Sequence, residues 1–185
     1  DNIDISTTKI VNLIENPNRD SFECQGLVMG YVQSGKTANY MGVMAKAVDS
    51  GYDFVIVMAG LHNSLRNQTQ SRIDKELTGQ SHNSKVEYPE PGHQWVNLTK
   101  NVLDFQGEVD QTIMQINAPI LMVIKKNCTV LKKLELWLKS VDERNLKNKK
   151  VLIIDDEADH GTINTGRPGE NNSDEELWDE DVYDE

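Results

Sequence analysis

Three stretches of this 185-residue chain are apolar without a break: FVIVMA at 54–59, PILMVI at 119–124 and VLIID at 151–155. A strand with one face in water alternates apolar and polar residues, because successive side chains point to opposite sides. Runs that do not alternate belong to strands covered on both faces, the condition of parallel sheets sandwiched between helices. A shorter run, GLVM at 26–29, reads as the first strand of the same kind. Helix-forming segments lie between the runs. Residues 36–50 end at Gly51, where a helix C-terminus favours glycine. Residues 61–77 set Leu65, Ile73 and Leu77 among polar neighbours, and 129–140 carry Val130, Leu131, Leu134, Leu136, Trp137 and Leu138. Residues 8–15 read as a further short helix and 95–98 as a short strand; 78–93 is a polar surface loop rich in turn formers, and 99–118 favours no element. Strand and helix alternating with short links predict right-handed βαβ units, hence an α/β domain with a mostly parallel central sheet and helices on both faces.

The handover from the first run to the first long helix is GYVQSGKT, residues 30–37, which fits G-x-x-x-x-G-K-T without a mismatch. In that pattern backbone N–H groups wrap a phosphate chain, the lysine reaches the outer phosphates and the hydroxyl holds Mg²⁺. The expected nucleotide-binding residues are Gly30, Gln33, Ser34, Gly35, Lys36 and Thr37. Thr37 stands at a helix start, where the dipole also favours an anion.

A second signal closes the last run, VLIIDDEADH at 151–160. Carboxylates at the end of a buried strand near a phosphate loop are placed to hold magnesium, and a following glutamate can orient the attacking water. Asp156 is assigned to the metal, through water, together with Thr37, and Glu157 to the attacking water, with Lys36 the second catalytic group. Asp155 competes for the metal role, because the doubled aspartate leaves the register open by one residue.

The net charge of −11 would argue against a polyanionic partner if it were spread evenly. Nine of the acidic residues lie in 170–185, which has no basic residue, so 1–169 carries only −2. Global charge is therefore neutral on nucleic acid. The expected organisation is an N-terminal helix and linker over 1–20, a phosphate-binding lobe over 21–169 and an acidic, disordered tail over 170–185. Cys24 and Cys128 stand apart, and His62, His82, His93 and His160 share no ligand spacing, so neither a disulfide framework nor zinc is expected. No apolar run approaches the ~20 residues that span a bilayer, and a reduced, cytoplasmic setting is the expectation.

D-E-A-D at 156–159 with the phosphate loop resembles the first motor lobe of superfamily 2 helicases and translocases. The wording YVQSGKTANY, followed by AG-x-x-NSLRNQTQ-R within 26–74, and DDEADHGTINTG at 155–166 look like bacterial putative endonucleases that carry a Z-one domain. The resemblance implies a three-layer RecA-like P-loop NTPase domain, ATP as substrate with Mg²⁺, and nucleic acid as partner, with DNA the expected one for the full-length protein, in restriction or phage defence. It also implies a second RecA-like lobe. Nothing in 1–185 resembles one, so the chain reads as a fragment of a larger putative endonuclease, nearly inactive alone. Arg167 lies too close to the DEAD segment to serve as an arginine finger.

In such motors the loops at the carboxyl ends of the strands grip the phosphate backbone, which here implicates Asn63, Arg66 and Gln68 after the second strand and Lys125 and Lys126, with Asn127 beside them, after the third. Two other functions remain open from the residues. A small-molecule P-loop kinase would share the phosphate loop, but has no use for a water-orienting glutamate. A nucleotide-responsive interaction module would dock its acidic tail, through Trp178 and Tyr183, on a basic partner. Nuclease chemistry finds no pattern of spaced acidic residues with a lysine in this segment.

Overall fold

The computed structural model describes residues 2–30, 35–79 and 93–159. Its elements are α1 (Asn2–Val11), α2 (Lys36–Asp49), β1 (Phe54–Ala59), α3 (Asn63–Glu76), β2 (Val96–Asn97), β3 (Ile120–Ile124), α4 (Cys128–Ser140), α5 (Glu143–Lys147) and β4 (Val151–Asp156), with a 3-10 turn at Gln111–Gln115 before β3. The four strands form one sheet in the order β2-β3-β1-β4, and every pairing is parallel. Phe54 stands level with Ile120 on one side and Val151 on the other, so the strands end together at Met58, Ile124 and Asp155.

Two of the three unbroken apolar runs do what the period demands, β1 and β3 having both faces covered; the third is corrected, for β4 lies at the sheet edge among the described residues and its Val151 and Ile153 face is exposed. Phe54 and Ile56, with Ile120, Met122 and Ile124, pack against Val130, Leu134 and Trp137 of α4. Val55, Val57 and Ala59, with Leu121 and Val123, pack against Met41 and Met44 of α2 and Ile73 of α3. Helix, sheet and helix make three layers. Trp137 ties the α4 layer down by stacking edge-on against Phe54 and Phe105 and by donating its indole N–H to the carbonyl of Val109 at 2.9 Å. The start of α4 is fixed by Asn127, whose side-chain oxygen accepts from the N–H groups of Thr129 and Val130.

Two further sequence expectations are corrected. The first concerns 26–29, which form no strand: Leu27, Val28 and Met29 are 77%, 60% and 86% exposed. A four-residue apolar run between Gly26 and Gly30 supplies a strand's composition, but a strand also needs a ladder, and pairing is a long-range event that no local pattern encodes. The outer edge of β4 carries no partner strand among the described residues, and Ile153 is 58% exposed beside it. The second concerns the N-terminal helix, which occupies Asn2–Val11 rather than 8–15. The cluster Ser6, Thr7 and Thr8 reads as poor helix, yet each hydroxyl bonds back to a carbonyl three or four residues earlier and so withdraws from competition.

Helix α1 lies along α2 rather than standing off as a linker. Asn39 donates to the Ser6 hydroxyl at 2.7 Å, and Lys46 meets Asp4 at 2.6 Å. The buried Thr7 sits over Gly42, where an added Cβ would come 2.8 Å from the threonine methyl. Gly42→Ala should therefore destabilise the domain by about 1 kcal/mol net, overpacking outweighing the gain in helix propensity. Thermal denaturation should show the loss, and Thr7→Ser in the same chain should recover part of it by removing the clashing methyl. A Gly42→Ala chain as stable as wild type, or one that Thr7→Ser fails to rescue, would contradict the close approach.

Candidate functional site

The carboxyl ends of β1, β3 and β4 lie at one end of the sheet, and α2 starts there. Gly35 precedes α2 with φ 77°, a left-handed turn that a side chain would strain. Lys36 and Thr37 follow as the first two helical residues, Lys36 exposed and Thr37 half-buried. The N–H groups of this first turn have no intrahelical acceptor and carry the positive end of the dipole. Gly30 is also described and exposed. Gln33 and Ser34, together with Tyr31, lie outside the described residues, as do His160, Arg167 and the acidic tail.

Strand geometry splits the doubled aspartate. Asp156 pairs with Ala59 and shares the face of Val55 and Val57, the face covered by α2. Asp155 pairs with Met58 on the opposite face, where Lys126 meets its carboxylate at 2.8 Å. Only Asp156 therefore points to the side on which the phosphate loop enters its helix. The link between them is Tyr40, one turn beyond Thr37 on α2. Its hydroxyl oxygen is buried, and Thr37, Thr69 and Asp156 lie around it, none of the described residues meeting it in full hydrogen-bond geometry. Burial, and then the negative charge of Asp156, push the phenol up to about 12, against the weaker pull of Thr37 and Thr69. Leaving such a group without a partner costs about 1–3 kcal/mol.

Glu157 follows in the left-handed region, φ 54°, a conformation that a non-glycine residue holds only when its surroundings fix it. Lys126 does the fixing. Its ammonium donates to the carbonyl oxygen of Glu157 at 2.6 Å while holding Asp155, and its side chain is only 8% exposed. The Glu157 N–H donates to the Asp156 carboxylate at 3.0 Å. Gly60, after β1, leaves open the space beside the glutamate: a Cβ there would sit 3.8 Å from Glu157 Oε2.

The five residues proposed for a phosphate backbone separate into three groups. Arg66 is corrected outright: it is 1% exposed, and its guanidinium is spent on the carbonyls of Val123, Lys100, Asn101 and Leu103 and on the side chains of Asn67 and Gln70. An arginine on the first turns of a helix after a strand suggested a clamp; the carbonyl-rich turn it grips, Lys100–Leu103, lay in the stretch that favoured no element. Lys126 is corrected likewise, since it faces inward to Asp155 and Glu157. Asn63 and Lys125 do come together, in a cleft of about 370 Å³ that Asn127, Thr129, Gln106 and Lys133 complete. Gln68 lies on a separate, open groove along α3 beside Ser71 and Arg72.

Sequence reasoning missed Tyr40 and Lys133. The signal for Tyr40 was present: Thr37 and Tyr40 are three apart on a helix and so share a face. Lys133 could be found only by knowing that α4 borders the loop after β3. Among the described residues no group of three or more His, Cys, Asp and Glu is placed to hold a metal ion. A magnesium ion carried in with a triphosphate needs less, because one carboxylate and a hydroxyl suffice when phosphates and water supply the rest. Thr37 and Asp156, with the buried phenol hydroxyl between them, match that requirement. No helix among the described residues is long and apolar enough to cross a membrane. Comparison with family models, curated proteins and solved structures finds no match to this chain.

Proposed function

We propose that this α/β domain is a RecA-like lobe that binds magnesium–ATP and hydrolyses it, as part of a helicase- or translocase-like ATPase that acts on nucleic acid. One observation carries the reading. Thr37, at the head of the helix that follows the phosphate loop, and Asp156, at the tip of β4, border the same buried hydroxyl. The two motifs are 119 positions apart in the chain and had no local reason to meet.

In this reading the first turn of α2 and Lys36 bind the phosphates and take up charge that develops on the outermost one. Magnesium, held from the protein side by Thr37 and Asp156, supplies bridging and charge neutralisation for the triphosphate. Glu157 orients or deprotonates the water that attacks in line with the leaving oxygen, and Lys126 keeps the glutamate's backbone where that is feasible. The cleft of Asn63, Lys125 and Lys133 offers amide and ammonium donors to a phosphate backbone, contacts that read charge and not sequence.

Lys36→Ala tests the reading without needing turnover. It should weaken magnesium–ATP binding by at least about tenfold, the loss of one charge-assisted contact or more, while leaving the thermal stability of the apo chain unchanged. Equal affinity of the two proteins in a fluorescent-nucleotide titration would rule out the phosphate loop.

A further inference from the structure

Tyr40 carries a hydroxyl for which the described residues complete no hydrogen bond. Its ring packs at the edge of the layer formed by Met41, Met44, Val57 and Ile154, a role that a phenylalanine would fill equally well. The oxygen is buried and no described residue meets it in full hydrogen-bond geometry, yet its neighbours are all polar: Thr37 from its own helix, Thr69 from α3 and Asp156 from β4. A hydroxyl kept among two other hydroxyls and a carboxylate, with no well-formed bond to any of them, has donor and acceptor capacity left for a polar ligand.

We propose that Tyr40 is a positioning residue of the divalent-cation site, its hydroxyl hydrogen-bonding a water of the hydrated cation that Thr37 and Asp156 hold. The inference rests on the reading of this site as one for a magnesium–triphosphate. The occupant follows from the neighbours. An anion in that space would face the Asp156 carboxylate, and an apolar group would strand three hydroxyls, whereas a hydrated cation offers each oxygen a partner. The Tyr40 ring, locked between α2 and the sheet, presents the oxygen at little conformational cost.

Tyr40→Phe separates this role from a purely structural one, because the two make opposite demands on the apo protein. Affinity for a non-hydrolysable ATP analogue is measured with Mg²⁺ and with EDTA, and thermal denaturation is followed without either ligand. The variant should keep the wild-type affinity in EDTA to within about twofold, lose about five- to tenfold of the gain that Mg²⁺ provides, and melt at the same temperature as wild type or higher. Mn²⁺ in place of Mg²⁺ should show the same pattern. An undiminished magnesium gain in the variant overturns the proposal, and so does a lower melting temperature of the apo variant, which would mark the hydroxyl as the anchor of a structural water. A wild-type chain that binds no nucleotide in either buffer overturns the site reading, and this inference with it.

Discussion

Arg66→Met should lower the stability of the domain by about 3–5 kcal/mol, because it strips the partner from a whole set of buried acceptors at once. The guanidinium bridges several elements at once: it donates to the carbonyl of Val123 in β3 at 3.0 Å, to those of Asn101 and Leu103 at 2.8 and 3.2 Å, and to the amide oxygen of Gln70 in α3 at 3.0 Å. The network continues beyond the arginine. Gln70 donates to Asp74 at 2.8 Å, Asn97 donates to the same carboxylate at 2.7 Å, and the Thr99 hydroxyl donates to Gln70 while accepting from the N–H of Val123. It therefore ties β2, the turn after it, β3 and α3 into one unit. Burial pulls the Arg66 pKa down, and the carboxylates of Asp104 and Asp74 oppose that shift. A melting temperature about 10 °C below wild type is expected for a domain of this size. Arg66→Lys should rescue little, since one ammonium cannot span a fork of acceptors set by a planar group. A loss below about 1 kcal/mol in Arg66→Met would mean that water replaces the guanidinium freely and that the network is peripheral.

Glu157→Gln should slow hydrolysis of bound magnesium–ATP by about 10²- to 10⁴-fold and leave affinity within about twofold, the signature of a group that acts on the water and not on the nucleotide. Single-turnover conditions, with protein in excess, make even a slow rate readable. The amide preserves shape and the acceptor oxygen, so the change isolates the ability to take a proton. Lys126→Met should fall between the two proteins. It leaves the carboxylate in place but removes the ammonium that holds the Glu157 carbonyl and Asp155, and a left-handed residue released from its clamp gains about 1–2 kcal/mol by leaving that conformation. A Glu157→Gln chain that turns over at the wild-type rate would move the water-handling role elsewhere, with Asp159 the remaining carboxylate of the motif.

What was legible in the sequence was what short-range physics writes into it. FVIVMA and ILMVI announce strands covered twice, because a residue at every position must find apolar company. The helix after the phosphate loop ends one residue from the expected place, with Gly51 at φ 112° just beyond it. Illegible were the features decided by partners far along the chain. GLVM has a strand's composition and lies exposed, while KNVL, unremarkable as a string, becomes the turn that a buried arginine grips. The site followed the same division. The spacing within the phosphate loop and within DEAD was readable, whereas choosing between Asp155 and Asp156 required knowing which side of the sheet α2 covers.

The loop after β3 assigns three neighbouring residues to three places: Lys125 borders the cleft of Asn63, Lys126 holds the turn of Glu157 and donates its own N–H to Gly60 at 2.7 Å, and Asn127 begins α4. Successive Cα atoms are about 3.8 Å apart and joined by a rigid plane. A displacement of Lys125 thus reaches the anchor of the Glu157 turn through a single peptide unit, with no long relay of side chains between the cleft and that turn.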